Sequence, residues 1–252
     1  MIKKIVDEFQ PYNDALINSP LGKELKVKEV ESTPMIPGQV LSSQSDLAED
    51  KVGDPRYVDA SKLPYMRLVG CLLYVMTCTR PDISFPTTVI SRFMTKPLYV
   101  HWLACLYLVR YLKGTVDIGI CFYRENWLEH FTVGFSDSDW ASSDLEHRRS
   151  MTGYSVFLCG GPIAWRSCLQ TTVAKSATEA EYYALSNCID EVTFMKQLLL
   201  ELGIEVETVP IYEDNKGAVD LAGNPVYHKR VKHIDIRYHS ICKEVLTGRS
   251  PY

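Results

Sequence analysis

Three acidic residues, each set in a distinctive string, are the first candidates for chemistry in this chain. They are Asp137 in GFSDSDW (134–140), Glu181 in SATEAEYYAL (176–185) and Asp214 in IYEDNKGA (211–218). The first and third stand at the ends of short apolar runs that read as strands. The second stands at the start of a long amphipathic pattern that reads as a helix. Carboxylates gathered from strand ends and a helix start suit a magnesium site for phosphodiester cleavage, because hard cations take oxygen ligands.

The spacing favours Glu181 over its neighbour Glu179. From Glu181, the residues Leu185, Cys188, Val192, Met195, Leu199 and Leu202 recur at alternating steps of four and three, one face of a helix. Glu179 leads a face carrying Ser186, Asp190, Thr193 and Gln197, so it is expected at solvent. An acid in the buried register is costly unless something pairs with it, and a cation shared with other carboxylates would do so. Periodicity does not decide the other two positions. Asp137 shares a strand face with Phe131, Val133 and Phe135, but Asp139 would share it too if the strand continued. Asp214 competes with Glu213, and a central strand covered on both faces gives alternation nothing to choose by. A strand-end turn or a helix N-cap is the plain structural role for each acid taken singly.

The elements that must position these acids begin at about residue 118, where the pattern becomes α/β. Strands are expected near 118–123, 131–136, 153–159 and 163–168, the last two joined by a turn at Gly160-Gly161-Pro162. A helix follows over about 178–202, closed by Gly203, with Ser176 and Glu179 placed as a capping box. Then come a strand at 209–213, a short helix at 215–222, a break at Gly223-Asn224-Pro225 and a basic helix over about 232–246. Antiparallel strands, a helix and a strand parallel to the first make a mixed-sheet α/β unit.

Residues 64–113 read instead as three helices: 64–79 with Pro64 at its start, 82–94 with Pro86 in its first turn, and 100–114 stopped by Gly114. Residues 1–63 show little periodicity, and 30–55 is rich in Ser, Pro, Gly and acids, as in a linker. The expected organisation is therefore 1–63 as a linker or remnant, 64–117 as a helical segment and 118–252 as the α/β domain.

At 252 residues the chain can bury a sizeable core, and 46% hydrophobic with 23% charged residues is ordinary for a globular protein. A formal charge of −4 and a pI near 5.9 argue against bulk electrostatic binding of nucleic acid, while leaving room for a local basic groove. Arg148, Arg149, Lys229, Arg230 and Lys232 are the candidates for phosphate contacts, with a solvated surface as their plain reading. Trp140 reads as a support for the acidic string more readily than as a stacking platform. The eight cysteines show no C-x-x-C pair or zinc-finger spacing and lie mostly in apolar runs, as reduced buried thiols do, which implies an intracellular, cytoplasmic compartment. His228, His233 and His239 lack cysteine partners at zinc spacing. The N-terminus carries charges where a signal peptide needs an apolar core, the longest apolar stretch is too short to span a bilayer, and no G-x-S-x-G string is present. No membrane association is expected.

These strings together resemble the C-terminal part of the Pol polyprotein of copia-type LTR retrotransposons. The block PYMRLVGCLLYVMTCTRPDISF…SRFMTKP…HW…VRYLKGT is similar to the segment after the reverse transcriptase palm. The block GFSDSDWASSDLEHRRSMTGYSVFLCGGPIAW…SATEAEYYAL…IYEDNKGAVDLAGNPVYHKRVKHIDIRYH resembles the family's ribonuclease H domain, and STPM (32–35) resembles a string upstream of the first block. The likeness runs over roughly residues 30–246. It implies a ribonuclease H-like fold, with Asp137, Glu181 and Asp214 as catalytic and metal-binding acids. It also implies hydrolysis of the RNA strand of an RNA–DNA hybrid with two magnesium ions (or manganese) about 3.5–4 Å apart. The implied partners are the hybrid and the rest of the Pol polyprotein, and the implied location is cytoplasmic, including virus-like particles. The family carries a fourth aspartate, in a string like ADIFTK after a further strand. This sequence reaches Tyr252 before either, so the implied domain is C-terminally truncated. Tyr212-Glu-Asp-Asn215 is no substitute for the polymerase Tyr-x-Asp-Asp string. The alternative is a catalytically incomplete remnant that at most binds nucleic acid or protein.

Overall fold

Leu68, Val69, Leu72 and Val75 recur at helical spacing, and in the computed structural model they form the buried stripe of a helix. The structure describes residues 1–43, 62–123, 132–140 and 148–223. It divides into two compact units, Met1–Gly119 and Ile120–Tyr252.

The first unit is helical. Helix α1 spans Ile2–Asn18, α2 Pro20–Glu24, α3 Tyr65–Cys78, α4 Ser84–Ser91 and α5 Tyr99–Gly114, with a 3₁₀ turn at Pro81–Ile83 before α4. Pro86 lies in the first turn of α4, where its missing N–H costs no helical bond. Helix α1 lies in a stretch expected to be linker. Ile5, Val6, Phe9 and Leu16 do form a buried stripe there, but the polar Asn13 in that stripe and Pro11 inside the helix hide the period. Asn13 is buried because its Oδ1 accepts a hydrogen bond from Arg110 Nη1 at 3.0 Å. Arg80, also buried, forks onto Asp82 at 2.8 and 2.7 Å and donates to the carbonyl and hydroxyl of Thr115, tying the 3₁₀ turn to the end of α5.

The second unit is mixed α/β. Strands β1 (Thr132–Asp139), β2 (Met151–Leu158), β3 (Gly161–Leu169) and β4 (Ile211–Tyr212) form one sheet in the order β3-β2-β1-β4. The first three are antiparallel, and β4 runs parallel to β1. Helix α6 (Ala177–Glu201) connects β3 to β4, and α7 (Lys216–Gly223) follows β4. The β2–β3 turn puts Cys159 at φ 50° and Gly160 at φ 77°, the two left-handed residues of a two-residue hairpin whose twist matches its strands. No strand forms at 118–123. This segment touches the β2–β3 hairpin tip, where Tyr123 N–H donates to Cys159 O at 2.9 Å, without forming a ladder. The helix expected at 232–246 lies outside the described residues.

Helix α6 packs on β1 and β2 through Cys188 and Val192 against Val156. Tyr182, Leu185 and Ile189 pack on Leu221 and Ala222 of α7. Cys105 and Cys188 are buried, but Cys78 and Cys121 are exposed, so the expectation of mostly buried thiols holds for fewer than it named. Cys78 is the last residue of α3, and Cys121 lies in a stretch without regular structure. Among the described residues no helix is long and apolar enough to cross a membrane.

Gly134 is a point of close approach between α6 and β1. A Cβ there would lie 3.0 Å from Cys188 Sγ, 3.2 Å from Ile211 Cγ1 and 3.4 Å from Val192 Cγ2. Gly134→Val is expected to destabilise the α/β unit by about 1–3 kcal/mol through overpacking. Chemical denaturation checks this, and an unchanged midpoint would contradict the close packing.

Candidate metal centre

The two strands that carry the aspartates are joined by a very short ladder. Gly134 pairs with Ile211 and Phe135 with Tyr212, and there the backbone pairing ends. Continuing that parallel register sets Ser136 opposite Glu213 and Asp137 opposite Asp214. Asp137 is still within β1, whose antiparallel pairing with β2 matches it to Gly153. Glu181 enters from α6, which begins at an N-cap in which Ser176 Oγ accepts the Glu179 N–H at 3.1 Å. One carboxylate oxygen from each of Asp137, Glu181 and Asp214 lies within 4.8 Å of the others. The three acids are far apart along the chain and come together at one end of the β1–β4 pair.

Their surroundings differ. Asp137 and Asp214 are exposed, whereas Glu181 is only 7% exposed. Its Oε2 is buried with no hydrogen-bond partner among the described residues. Burial pushes the Glu181 carboxyl up to about 7; the charges of Glu213, Asp137 and Asp214 add to this, and the nearby Ser138 hydroxyl opposes it. Glu213 is also raised, mainly by burial, while its hydrogen bonds from Ser136 and from the Asn215 N–H work the other way. The donor set is thus three carboxylates with a buried, unsatisfied oxygen among them. That fits a hard divalent cation, which would supply the missing positive charge.

Glu179 corrects the sequence expectation. It is as buried as Glu181, because the start of α6 is flanked by the sheet and also by α7, which widens the buried arc and takes in Ser186 too. Its charge is held by the Lys175 N–H at 2.8 Å and the Tyr183 hydroxyl at 3.4 Å. Glu179 is therefore a variant of the expected capping box, reaching one residue further back than the N-cap. At the other end of the predicted face, Leu202 is exposed.

Trp140 is half exposed, and its Nε1 donates to Ala174 O at 3.2 Å, anchoring the end of β1 to the loop before α6. Arg148 is exposed with φ 54°, and Arg149 is half-buried. Lys229, Arg230 and Lys232 lie outside the described residues, as do His228, His233 and His239. Two residues were not singled out as supports. Gln170 Nε2 donates to Thr152 Oγ1 and Ala180 O, both at 3.0 Å, fastening the residue before Glu181 to β2. Glu213 Oε2 accepts from Ser136 Oγ at 2.7 Å. Neither carries a sequence signal beyond sitting next to a strand end.

The raised Glu181 pKa fixes a pH dependence. The folded state holds the proton more tightly than the unfolded one, so this contribution is fully present below about pH 4.5 and is lost as pH rises through 7. In chelator, Glu181→Gln, which mimics the protonated acid, is expected to match wild type at pH 4.5 and to melt at a higher temperature than wild type at pH 8. Thermal unfolding across that range checks this; a difference that does not change with pH would contradict it.

No family model and no solved structure matches the chain. Three curated proteins place it. The retrovirus-related Pol polyprotein from transposon TNT 1-94 of Nicotiana tabacum is 38% identical over 240 residues, 95% of this chain and 16% of that protein. The Pol polyprotein from transposon RE2 of Arabidopsis thaliana is 42% identical over 193 residues, 75% of this chain and 13% of its own length. The secreted RxLR effector protein 161 of Plasmopara viticola is 43% identical over 133 residues, 53% of this chain and 92% of the effector. The chain thus spans well under a fifth of the two Pol polyproteins. With such identity over nearly its whole length, it belongs to the Pol polyprotein family of copia-type retrotransposons.

Proposed function

We propose that the α/β unit is a ribonuclease H-type nuclease domain that hydrolyses the RNA strand of RNA–DNA hybrids. The observation that carries this reading is the convergence of Asp137, Glu181 and Asp214, one oxygen from each within 4.8 Å. Their origins at β1, an early turn of α6 and the end of β4, in a sheet of order β3-β2-β1-β4, are consistent with a ribonuclease H-like fold.

Asp137, Glu181 and Asp214 would hold magnesium, or manganese in its place. When bound, such ions activate a water and neutralise charge on the leaving 3′ oxygen of the scissile phosphate. The protein's own contribution is to hold three negative groups in place before the cation arrives, so that no side chain has to reorganise during reaction. The Glu181 carboxyl must release its proton for the site to fill, which couples cation affinity to pH. Arg148 and Arg149, with Lys229, Arg230 and Lys232, are proposed to contact backbone phosphates of the hybrid, independent of sequence. The rest of a Pol polyprotein is the proposed protein partner, in the cytoplasm or in virus-like particles.

A second reading has one observation in its favour. The chain also matches 92% of a protein whose name is that of a secreted effector and not of a Pol polyprotein. On that reading the chain binds hybrid or protein without turning it over.

A labelled RNA–DNA hybrid separates the two. The nuclease reading predicts magnesium-dependent loss of the RNA strand, reduced by about 100-fold or more in Asp137→Asn, because a metal-binding carboxylate acts in the reaction itself. Hybrid binding without cleavage by wild type supports the second reading. Equal cleavage by wild type and Asp137→Asn overturns the assigned site.

A further inference from the structure

We infer that Glu213 is a positioning residue for the carboxylate site, acting through a side-chain bridge that extends the β1–β4 ladder past its last backbone pair. This rests on the metal-binding reading of Asp137, Glu181 and Asp214. The backbone pairs β1 to β4 only at Gly134–Ile211 and Phe135–Tyr212. The two aspartates stand two residues beyond the last pair, where nothing in the ladder fixes the separation of the chains. At the intervening step Ser136 Oγ donates to Glu213 Oε2 at 2.7 Å. The bond lies one residue before each aspartate and crosses the two strands at the point the ladder leaves open.

The other oxygen of Glu213 fixes the far side. Oε1 accepts the Asn215 N–H at 3.2 Å, and Asn215 Oδ1 in turn accepts the Ala218 N–H at 3.1 Å, capping α7. Asp214 is therefore bracketed: the residue before it is tied to β1, and the residue after it starts the next helix. The approach is tight as well, since a Cβ at Gly217 would lie 3.1 Å from both Asn215 Oδ1 and the Thr178 side chain at the start of α6. With both oxygens of Glu213 engaged, its role is to hold Asp137 and Asp214 at a fixed separation and not to supply a ligand. Groups bonded directly to ligating side chains typically contribute about 10–100-fold to metal affinity; Glu213 acts through the residues next to the aspartates, so the low end of that range, about 10-fold, is the expected scale.

Magnesium titration of the 252-residue chain by calorimetry, with thermal unfolding in chelator alongside, tests this. Glu213→Ala is expected to weaken magnesium binding by about 10-fold or more. Glu213→Gln is expected to stay close to wild type, because its amide oxygen still accepts from Asn215 and its NH₂ can donate to the Ser136 hydroxyl. Ser136→Ala removes the same bridge from the other strand and keeps the test alive if Glu213→Ala does not fold. The double variant Ser136→Ala/Glu213→Ala should bind no more weakly than Glu213→Ala alone, as expected of two groups in one interaction. Wild-type affinity in both Glu213→Ala and Ser136→Ala overturns the proposal. So does a Glu213→Gln as weak as Glu213→Ala, which would make the negative charge the contribution. Absence of magnesium binding by wild type overturns both this and the metal reading. Weakened binding in the variants of a chain that never cleaves hybrid leaves the positioning role standing and removes the nuclease reading.

Discussion

Holding like charges together is the constraint from which the α/β unit takes its sense. Three carboxylates meet within 4.8 Å, with Glu213 close enough to add its own field to the buried member. In water such groups repel, and burying one of them deepens the penalty. The protein answers with rigidity at each origin. β1 is paired along its length with β2 and briefly with β4, and α6 packs closely onto β1 at Gly134, where a Cβ would lie 3.0 Å from Cys188 Sγ. Gln170 fastens the backbone just before Glu181. A proton on Glu181 or a shared cation relieves what remains.

The asymmetry within the trio follows from where each acid sits. The aspartates lie at strand ends and stay exposed to water. Glu181 comes from a helix packed against the sheet and is largely withdrawn from water, leaving one oxygen without a partner. The cluster thus has an exposed side and a closed side whose buried oxygen has no hydrogen-bond partner among the described residues. The neighbouring Glu179 shows the contrast: equally buried, it spends its charge on the Lys175 N–H and serves the helix start.

Much of this was legible in the sequence because long periodic segments carry their own signal. The helices at 65–78, 99–114 and 177–201 follow apolar spacing, and the register of α6 picked out Glu181 without reference to relatives. The failures have local causes. A single-face reading of α6 could not anticipate that α7 buries a second arc, so Glu179 and Ser186 were placed at solvent. Helix α1 is masked by Pro11 and by the buried Asn13, whose polarity is satisfied by the distant Arg110. The apolar run at 118–123 looks like a strand, yet strand formation depends on pairing with a chain segment distant in sequence, which no local pattern encodes. Ser136–Glu213 and Gln170–Ala180 are long-range pairings for the same reason. For Asp137 and Asp214 alternation left rivals standing. The structure brings those two, with Glu181, within common reach.

Membership of the copia-type Pol family gives these residues a context, while the chain itself spans only 13–16% of two such polyproteins. The proposal that Asp137, Glu181 and Asp214 share a divalent cation has a direct test. It is anomalous diffraction from crystals grown with manganese. The account predicts a manganese peak lying between oxygens of all three carboxylates, at about 2.0–2.3 Å from each oxygen it contacts. Strong manganese peaks elsewhere, with none among these three side chains, would contradict it.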